Sequence, residues 1–551
     1  MQENPEEAGP NRKYSLDTLP QEIPGSGVGD FRDDMIEIRH ADGSFAADFR
    51  FDSFEILDHS YAIPGMPALY DTEKEKGETL VITMTEKASD IVLKLFYGVF
   101  ENENVITRAA RLENQRRKRR IELEKMLSFS MDLMYENYEM IYFSGRHAME
   151  RTAERIPVQH AKVEIGSTRG TSSHHYNPAV ILCEEGAGET HGSCIGACLV
   201  YSGNFVAAAQ KDQKNQTRFQ MGIHPTNFCF HLEKGEAFDT PQAILSYSGT
   251  GLTKLSQQYH EIIREHICRG AYKHAKRPIL INNWEATYFN FNEEKILKIA
   301  EQAQKLGIEM LVLDDGWFGK REDDNSGLGD WFVNEKKMNG SMAQLAEKIH
   351  RMGMKFGLWF EPEMISEDSD LYRAHPDWAF AIPGRVPNHS RNQLVLDMTR
   401  EDVREYLLER LTTIVHDAKI DYVKWDMNRS VCDVYSHMAA QNRNGELYHR
   451  YVLGVYDLLE RFLAACPDLL LEGCSGGGGR YDAGMMYYSP QIWCSDNTDA
   501  INRLSIQYGS SFFYPISTVG SHVSVCPNHQ TGRVTPFRTR GDVDAGRKLW
   551  I

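Results

Sequence analysis

From Arg277 onward the chain repeats one unit, a short apolar run followed by a loop and an amphipathic helix, and this repetition constrains the fold more than any other feature. The runs predict strands at Ile279–Trp284, Met310–Asp314, Phe356–Phe360, Tyr422–Asp426, Leu469–Gly473, Ile492–Ser495 and Phe512–Pro515. Between the first two, Ile296, Leu297, Ile299 and Ala300 give one apolar helical face, with Asn292 placed to cap it. Strand and helix units of this length assemble into a parallel sheet, and closure into a (β/α)8-type barrel is a common form. Seven strands are visible rather than eight, and the chain stops at Trp550-Ile551 soon after the seventh.

Before about residue 270 the pattern is different. Apolar or alternating runs such as Ile91–Tyr97 and Ala179–Cys183 are separated by turn-rich stretches such as Gly166–Gly170, as in a β-sandwich. At 551 residues the chain exceeds what one core usually serves. The expectation is a multidomain α/β plus β protein, with an N-terminal β-sandwich over residues 1–270 and a barrel over 271–551.

The excess of 78 Asp+Glu over 61 Lys+Arg gives a net charge of −17, which repels polyphosphate and anionic lipid and argues against nucleic-acid and membrane-surface partners. The one basic run, Arg116–Arg120, is flanked by Glu113, Glu122 and Glu124 and reads as a solvated turn. No stretch reaches the ~18 uninterrupted apolar residues of a membrane span, and Met1–Glu7 lacks the apolar core of a signal peptide. Ten cysteines lie scattered without a CxxC, which fits a reducing compartment, so a cytoplasmic location is expected. Cys194 and Cys198 have no second His/Cys pair at zinc spacing, and neither a metal nor another cofactor is expected.

In parallel barrels the chemistry gathers at the carboxyl ends of the strands. Those ends carry Trp284, Asp314 with Asp315, Trp359, the set Lys424, Asp426 and Asn428, Cys474 with Gly476, and Asp496. Side chains two apart on a strand share a face. Lys424 can therefore keep Asp426 ionised while Asn428 holds whatever the carboxylate attacks. Aromatics and carboxylates without a phosphate loop suit a neutral polyhydroxylated ligand, because a sugar offers C–H faces to indole and hydroxyls to carboxylates. Two carboxylates can divide glycoside cleavage, one attacking the anomeric carbon and one protonating the leaving oxygen. Asp426, beside Lys424, fits the ionised role; Asp496, near apolar Ile492 and Trp493, fits the acid, and Asp499 reads as a helix N-cap.

The strings Asn282–Tyr288, Asp314–Gly319, Trp359–Met364, Lys424–Asn428, Cys474–Gly478 and Ser495–Asp499, in that order, resemble the bacterial α-galactosidases of glycoside hydrolase family 36. The β-rich first part is similar to that family's N-terminal supersandwich. The resemblance implies a retaining exo-α-galactosidase for small galactosides of the melibiose and raffinose kind, with Asp426 as nucleophile and Asp496 as acid/base. It also implies that Asp314 and Asp315 hold galactose O4 and O6, that Lys424 reaches O3 and O4, and that Trp284 and Trp359 shape the pocket. Arg391, Asn428, Cys474 and Gly476 would surround the remaining hydroxyls. α-N-Acetylgalactosaminidase and galactosyl transglycosylase are alternatives on the same scaffold, and the resemblance implies tetramers when the N-terminal domain is intact. Family members begin further upstream and continue past Arg538–Val543 into an eighth strand and a C-terminal β-domain. The expectation is therefore a sandwich incomplete at its start and a barrel lacking its last strand, with a complete site on a weakened fold.

Other classes compete. Gly473–Gly477 satisfies the G-x-S-x-G pattern, so a serine hydrolase using Ser475 with His522 or His529 is an alternative. Strand-end carboxylates also hold Mg²⁺, but Lys424 sits where a cation would be repelled. A zincin motif starting at His260-Glu261 fails because Arg264 occupies the second histidine position. A galactoside-binding remnant without turnover is a further possibility.

Overall fold

The computed structural model of the protein describes residues 16–115, 120–134 and 137–545. Arg116–Arg119 of the expected basic turn lie outside them, as do Met1–Glu7 and Gly546–Ile551.

Up to Ser248 the described chain consists mainly of antiparallel strands in two sheets around a shared apolar core. A ten-stranded sheet runs from the edge strand Arg50–Leu57 to the hairpin of Tyr138–Arg146 and Met149–Pro157. A six-stranded sheet is centred on Ile121–Leu133 and Thr217–Ile223. Period-two patterning selects the inner face: along Ile91–Phe100, Ile91, Leu93 and Leu95 are buried, while Lys94 points to Glu113 on the neighbouring strand, 3.5 Å away. Helix α1 (Leu252–His266) then leads out of the sheets. It buries Leu255, Tyr259, Ile262 and Ile263, with the Tyr259 ring 4.5 Å from that of Phe513 in the second half.

Seven parallel strands follow, each paired with the next: β1 (Leu280–Asn282), β2 (Met310–Leu313), β3 (Lys355–Phe360), β4 (Tyr422–Trp425), β5 (Leu470–Gly473), β6 (Gln491–Trp493) and β7 (Val519–Gly520). They form a curled sheet of the incomplete (β/α)8 type, whose two edges are β1 and β7. Every residue of β2 is buried, as a strand covered on both faces requires. The connecting helices start at side-chain caps the sequence supplies. Asn292 accepts from the Lys295 amide at the start of α2 (Glu293–Lys305), and Ser341 and Gln344 form a capping box on α3 (Met342–Arg351). Helices α4 (Glu401–Asp417) and α5 (Leu447–Ala465) follow, and Asp499 caps α6 (Ala500–Ser510) as expected.

Two strand assignments need correction. Phe512–Pro515 is not the seventh strand: Phe512 and Phe513 follow α6 in a turn and wedge against Phe143 of the sandwich at 5.3 and 5.8 Å, and β7 begins four residues after Pro515. An aromatic run is as good an interdomain wedge as a strand, and a proline cannot donate to a ladder. Trp284 does not end β1 but starts a one-turn helix, Trp284–Thr287, because the Asn282 side chain accepts its amide at 2.7 Å and turns the chain.

The hairpin Tyr138–Arg146/Met149–Pro157 docks on the carboxyl ends of β5 and β6. Arg151 donates to the carbonyls of Gly478 and Cys494 and, at 2.7 Å, to Ser510 Oγ, while Ser495 Oγ donates to Glu150 at 2.5 Å. These are buried, charge-assisted contacts, the kind whose loss costs most. A second sandwich loop docks beside them through Ser172 Oγ to Asp482 at 2.6 Å and Asn177 Nδ2 to the Tyr481 carbonyl at 2.7 Å. Among the described residues no helix is long and apolar enough to cross a membrane.

Candidate active site

Asp426 stands one residue past β4, nearly buried, with four N–H groups on its carboxylate. Oδ2 accepts from Trp359 Nε1 at 3.1 Å and Asn428 Nδ2 at 2.9 Å; Oδ1 accepts from the amides of Met427 at 2.9 Å and Gly476 at 3.2 Å. Donors from β3 and from the loops after β4 and β5 thus converge on one carboxylate, which fixes its orientation. Trp359 and Asn428, expected to face the ligand, both donate to Asp426. Gly476 reaches it from a left-handed conformation (φ 50°), and its own carbonyl accepts from His174 Nε2 at 2.6 Å.

Lys424, expected to keep Asp426 ionised, makes its direct bond to another carboxylate. Its ammonium bonds Asp314 Oδ2 at 3.2 Å. Burial alone would push Lys424 down, but the charges of Asp314, Cys474, Asp426 and Asp496 hold it well above the ordinary lysine value. One partly buried cation therefore serves three carboxylates. Asp314 also accepts from Asn282 Nδ2 at 2.5 Å. Its neighbour Asp315 is clamped by Arg321 through Nε at 3.0 Å and Nη2 at 2.8 Å, yet burial still leaves its carboxyl above the usual range. Trp284, half-buried, stands edge-on to Phe289 with centroids 5.1 Å apart. Arg391 sits exposed on a loop with φ 53°, its charge felt by Asp315 and Glu361. Cys474 is buried beside Asp426, which with burial pushes its thiol well up.

Asp496 follows β6, and the apolar setting expected for it is absent. Oδ1 accepts from Trp493 Nε1 at 3.0 Å and Oδ2 faces His147 Nε2 at 2.9 Å. Burial pushes this carboxyl up, but the His147 hydrogen bond and the Lys424 charge outweigh it and hold it below the ordinary value. An indole counts as apolar in a string of letters, but its N–H is a donor once its direction is known. The glycines after Ser475 let the β5 loop pass: a Cβ on Gly477 would lie 2.6 Å from the Asp496 amide nitrogen.

Three groups join the site that sequence reasoning did not place there. His147 comes from the docked sandwich hairpin, and Arg321 from the β2 loop. Glu361, one residue past β3, accepts from the Asn428 amide at 2.6 Å and Gln393 Nε2 at 2.8 Å, and burial with the Asp426 charge pushes it up to about 7. Glu361 lies within the quoted Trp359–Met364 string, two residues after Trp359, so its position at a strand end was a usable signal.

The serine-hydrolase alternative loses its geometry. Ser475 Oγ is buried and donates to the Met427 carbonyl at 3.0 Å, while His522 and His529 face Glu285 at 3.6 and 3.5 Å. Ser475→Ala should therefore keep wild-type turnover within about threefold, since it loses one hydrogen bond of ~1 kcal/mol; a loss of several orders of magnitude in a glycosidase assay would contradict this. Among the described residues, two groups have metal-ligand spacing, Glu122/Cys229/His231 and Glu75/Glu103/His266, and neither includes a residue of this site.

Both halves of the chain match known proteins. The melibiase family model matches residues 237–549, and the glycosyl hydrolase family 36 N-terminal domain model matches residues 1–233. The bifunctional alpha-galactosidase/sucrose kinase AgaSK of Mediterraneibacter gnavus is 55% identical over 98% of this chain, which spans 56% of that protein. Alpha-galactosidase Mel36A of Lactobacillus acidophilus is 46% identical over 97% of this chain, which spans 73% of it. The crystal structure of the alpha-galactosidase AgaA of Geobacillus stearothermophilus superposes with a TM-score of 0.96 at 46% identity, covering 98% of this chain and 75% of that one. A further AgaA structure, in complex with raffinose, gives 0.95 at 46% identity over 97% and 74%. On these matches, spanning both halves of the sequence, the chain belongs to glycoside hydrolase family 36.

Proposed function

We propose that the chain removes terminal α-linked galactose from small oligosaccharides with retention of configuration, Asp426 attacking the anomeric carbon and Asp496 acting as acid and then base. The observation that carries this reading is the partly buried Lys424 ammonium set among the charges of Asp314, Asp426 and Asp496, with Asp426 gripped by four N–H groups. In the first half-reaction Asp426 bonds to the anomeric carbon as the leaving oxygen takes a proton from Asp496. In the second, Asp496 takes a proton from water, whose oxygen displaces Asp426. Asp314 and Asp315, buried acceptors at the end of β2, suit the axial O4 that separates galactose from glucose, because a sugar whose hydroxyl points elsewhere leaves them unpaired. Raffinose-type sugars are the proposed substrates, supported by the raffinose complex of AgaA.

A cytoplasmic location is supported by ten free thiols, among them Cys183 and Cys194 directly opposed on neighbouring strands. Self-association into tetramers is supported by the edge strand Arg50–Leu57, which exposes Phe51, Phe54 and Ile56.

Galactose release from an aryl α-galactoside by the purified chain tests the activity. Asp496→Ala tests the division of labour: turnover of raffinose, with a poor leaving group, should fall by about 10²–10⁴, and that of an activated aryl galactoside far less. Equal losses on both substrates would remove Asp496 from the acid role.

A further inference from the structure

We propose that His147, carried by the N-terminal hairpin, shares the catalytic proton with Asp496, so that the acid/base of the barrel is a two-residue group assembled across both halves of the chain. This rests on the assignment of Asp496 as acid/base.

The geometry leaves one place for that proton. Asp496 Oδ1 is occupied by Trp493 Nε1 at 3.0 Å, a group that only donates. Oδ2 faces His147 Nε2 at 2.9 Å, a nitrogen that either holds a proton or accepts one. The pair thus holds a single proton either as imidazolium against carboxylate or as imidazole against carboxylic acid. Both forms have the same proton count and differ only in which atom carries it. Entry of an aglycone oxygen beside Oδ2 draws the proton from Nε2 to Oδ2. The O–H bond then breaks as the leaving oxygen takes the proton and keeps the electron pair of the severed C–O bond, leaving carboxylate against neutral imidazole. In the second half-reaction water gives its proton to Oδ2 as its oxygen bonds the anomeric carbon and Asp426 departs, and the pair regains its starting charge.

The surroundings suit the task. The His147 side chain is 60% exposed and can exchange protons with water, yet the hairpin is held firmly by Glu150 and Arg151. Glu150 on its own hairpin and Asp496 favour the imidazolium, and Arg391 opposes it. The His174 ring packs edge-on at 5.5 Å, and Arg146 donates to the His147 carbonyl at 3.0 Å. Asp496 is faced in addition by Lys424 and Trp493, and its charge reaches Cys474. The Asp496 hydrogen bond, ahead of the other influences, lifts His147 above the usual histidine value.

His147→Gln keeps a hydrogen-bond donor but cannot carry the proton, which must then reside on a carboxyl alone. The basic limb of kcat/KM for raffinose should move to lower pH by about one unit or more, with about a tenfold loss at neutral pH, while an activated aryl α-galactoside loses about threefold or less. A basic limb that stays in place, or one loss shared by both substrates at every pH, would show a merely structural contact and overturn the proposal. Wild-type turnover of both substrates and its loss in Asp426→Ala are measured alongside; their absence would instead overturn the assignment of the two acids, and the proposal with it.

Discussion

Asp426→Ala is expected to lower galactoside turnover by about four to six orders of magnitude, the scale on which removal of a covalent nucleophile acts in other hydrolases. Four N–H groups from Trp359, Asn428, Met427 and Gly476 converge on its carboxylate, and no other carboxylate of the site has so many. Glu361 is closest in kind, but burial and the Asp426 charge push it up to about 7, so at neutral pH much of it is neutral and a poor nucleophile. Alanine leaves a carboxylate-sized space lined by those four donors, which suits a small anion. With an aryl α-galactoside and added azide, the variant should recover part of its rate and release β-galactosyl azide, because azide attacks from the face Asp426 occupied. An α-configured azide would mean attack from the other face, and unimpaired hydrolysis without azide would assign the nucleophile elsewhere.

How much of this was legible in the letters depended on whether a signal was local. The strand at Met310–Leu313 and the helix capped by Asn292 were, because burial on both faces and a side-chain cap are written within a few residues. The run Lys424, Asp426, Asn428 was only in part: the strand ends at Trp425, and Asp426 and Asn428 meet in the loop beyond it through a hydrogen bond that strand periodicity does not set. What distant residues do to those side chains was not. Lys424 was assigned to its neighbour Asp426 but bonds Asp314, 110 residues earlier, because two strands that pair with β3 bring them together. His147 lies 349 residues from Asp496, in a hairpin with no motif, and only the docking of Arg151 and Glu150 brings it there. Phe512–Pro515 failed for a different reason: an apolar run states that it is buried but not by which partner, and here the partner is the sandwich.

Lys424→Met should damage the folded state most of all, and activity with it. Methionine matches the length of the stem, so the deficit is electrostatic. Asp314, Asp426 and Asp496 lose the cation they share, and an uncompensated buried charge costs about 3–5 kcal/mol. In the wild type the lysine lies well above its ordinary value, so its contribution is fully present throughout the neutral range. In the variant the carboxylates repel one another unneutralised, and that cost grows as rising pH adds negative charge to the site. The gap in unfolding temperature between wild type and variant should therefore widen from pH 5 to pH 8. Turnover should fall by about 10³ or more even where the variant is folded, because Asp314 loses the partner that fixes its position. A gap that stays constant across that range would mean the ammonium fills space without balancing charge, and a variant that is folded and fully active at pH 8 would remove Lys424 from the site altogether.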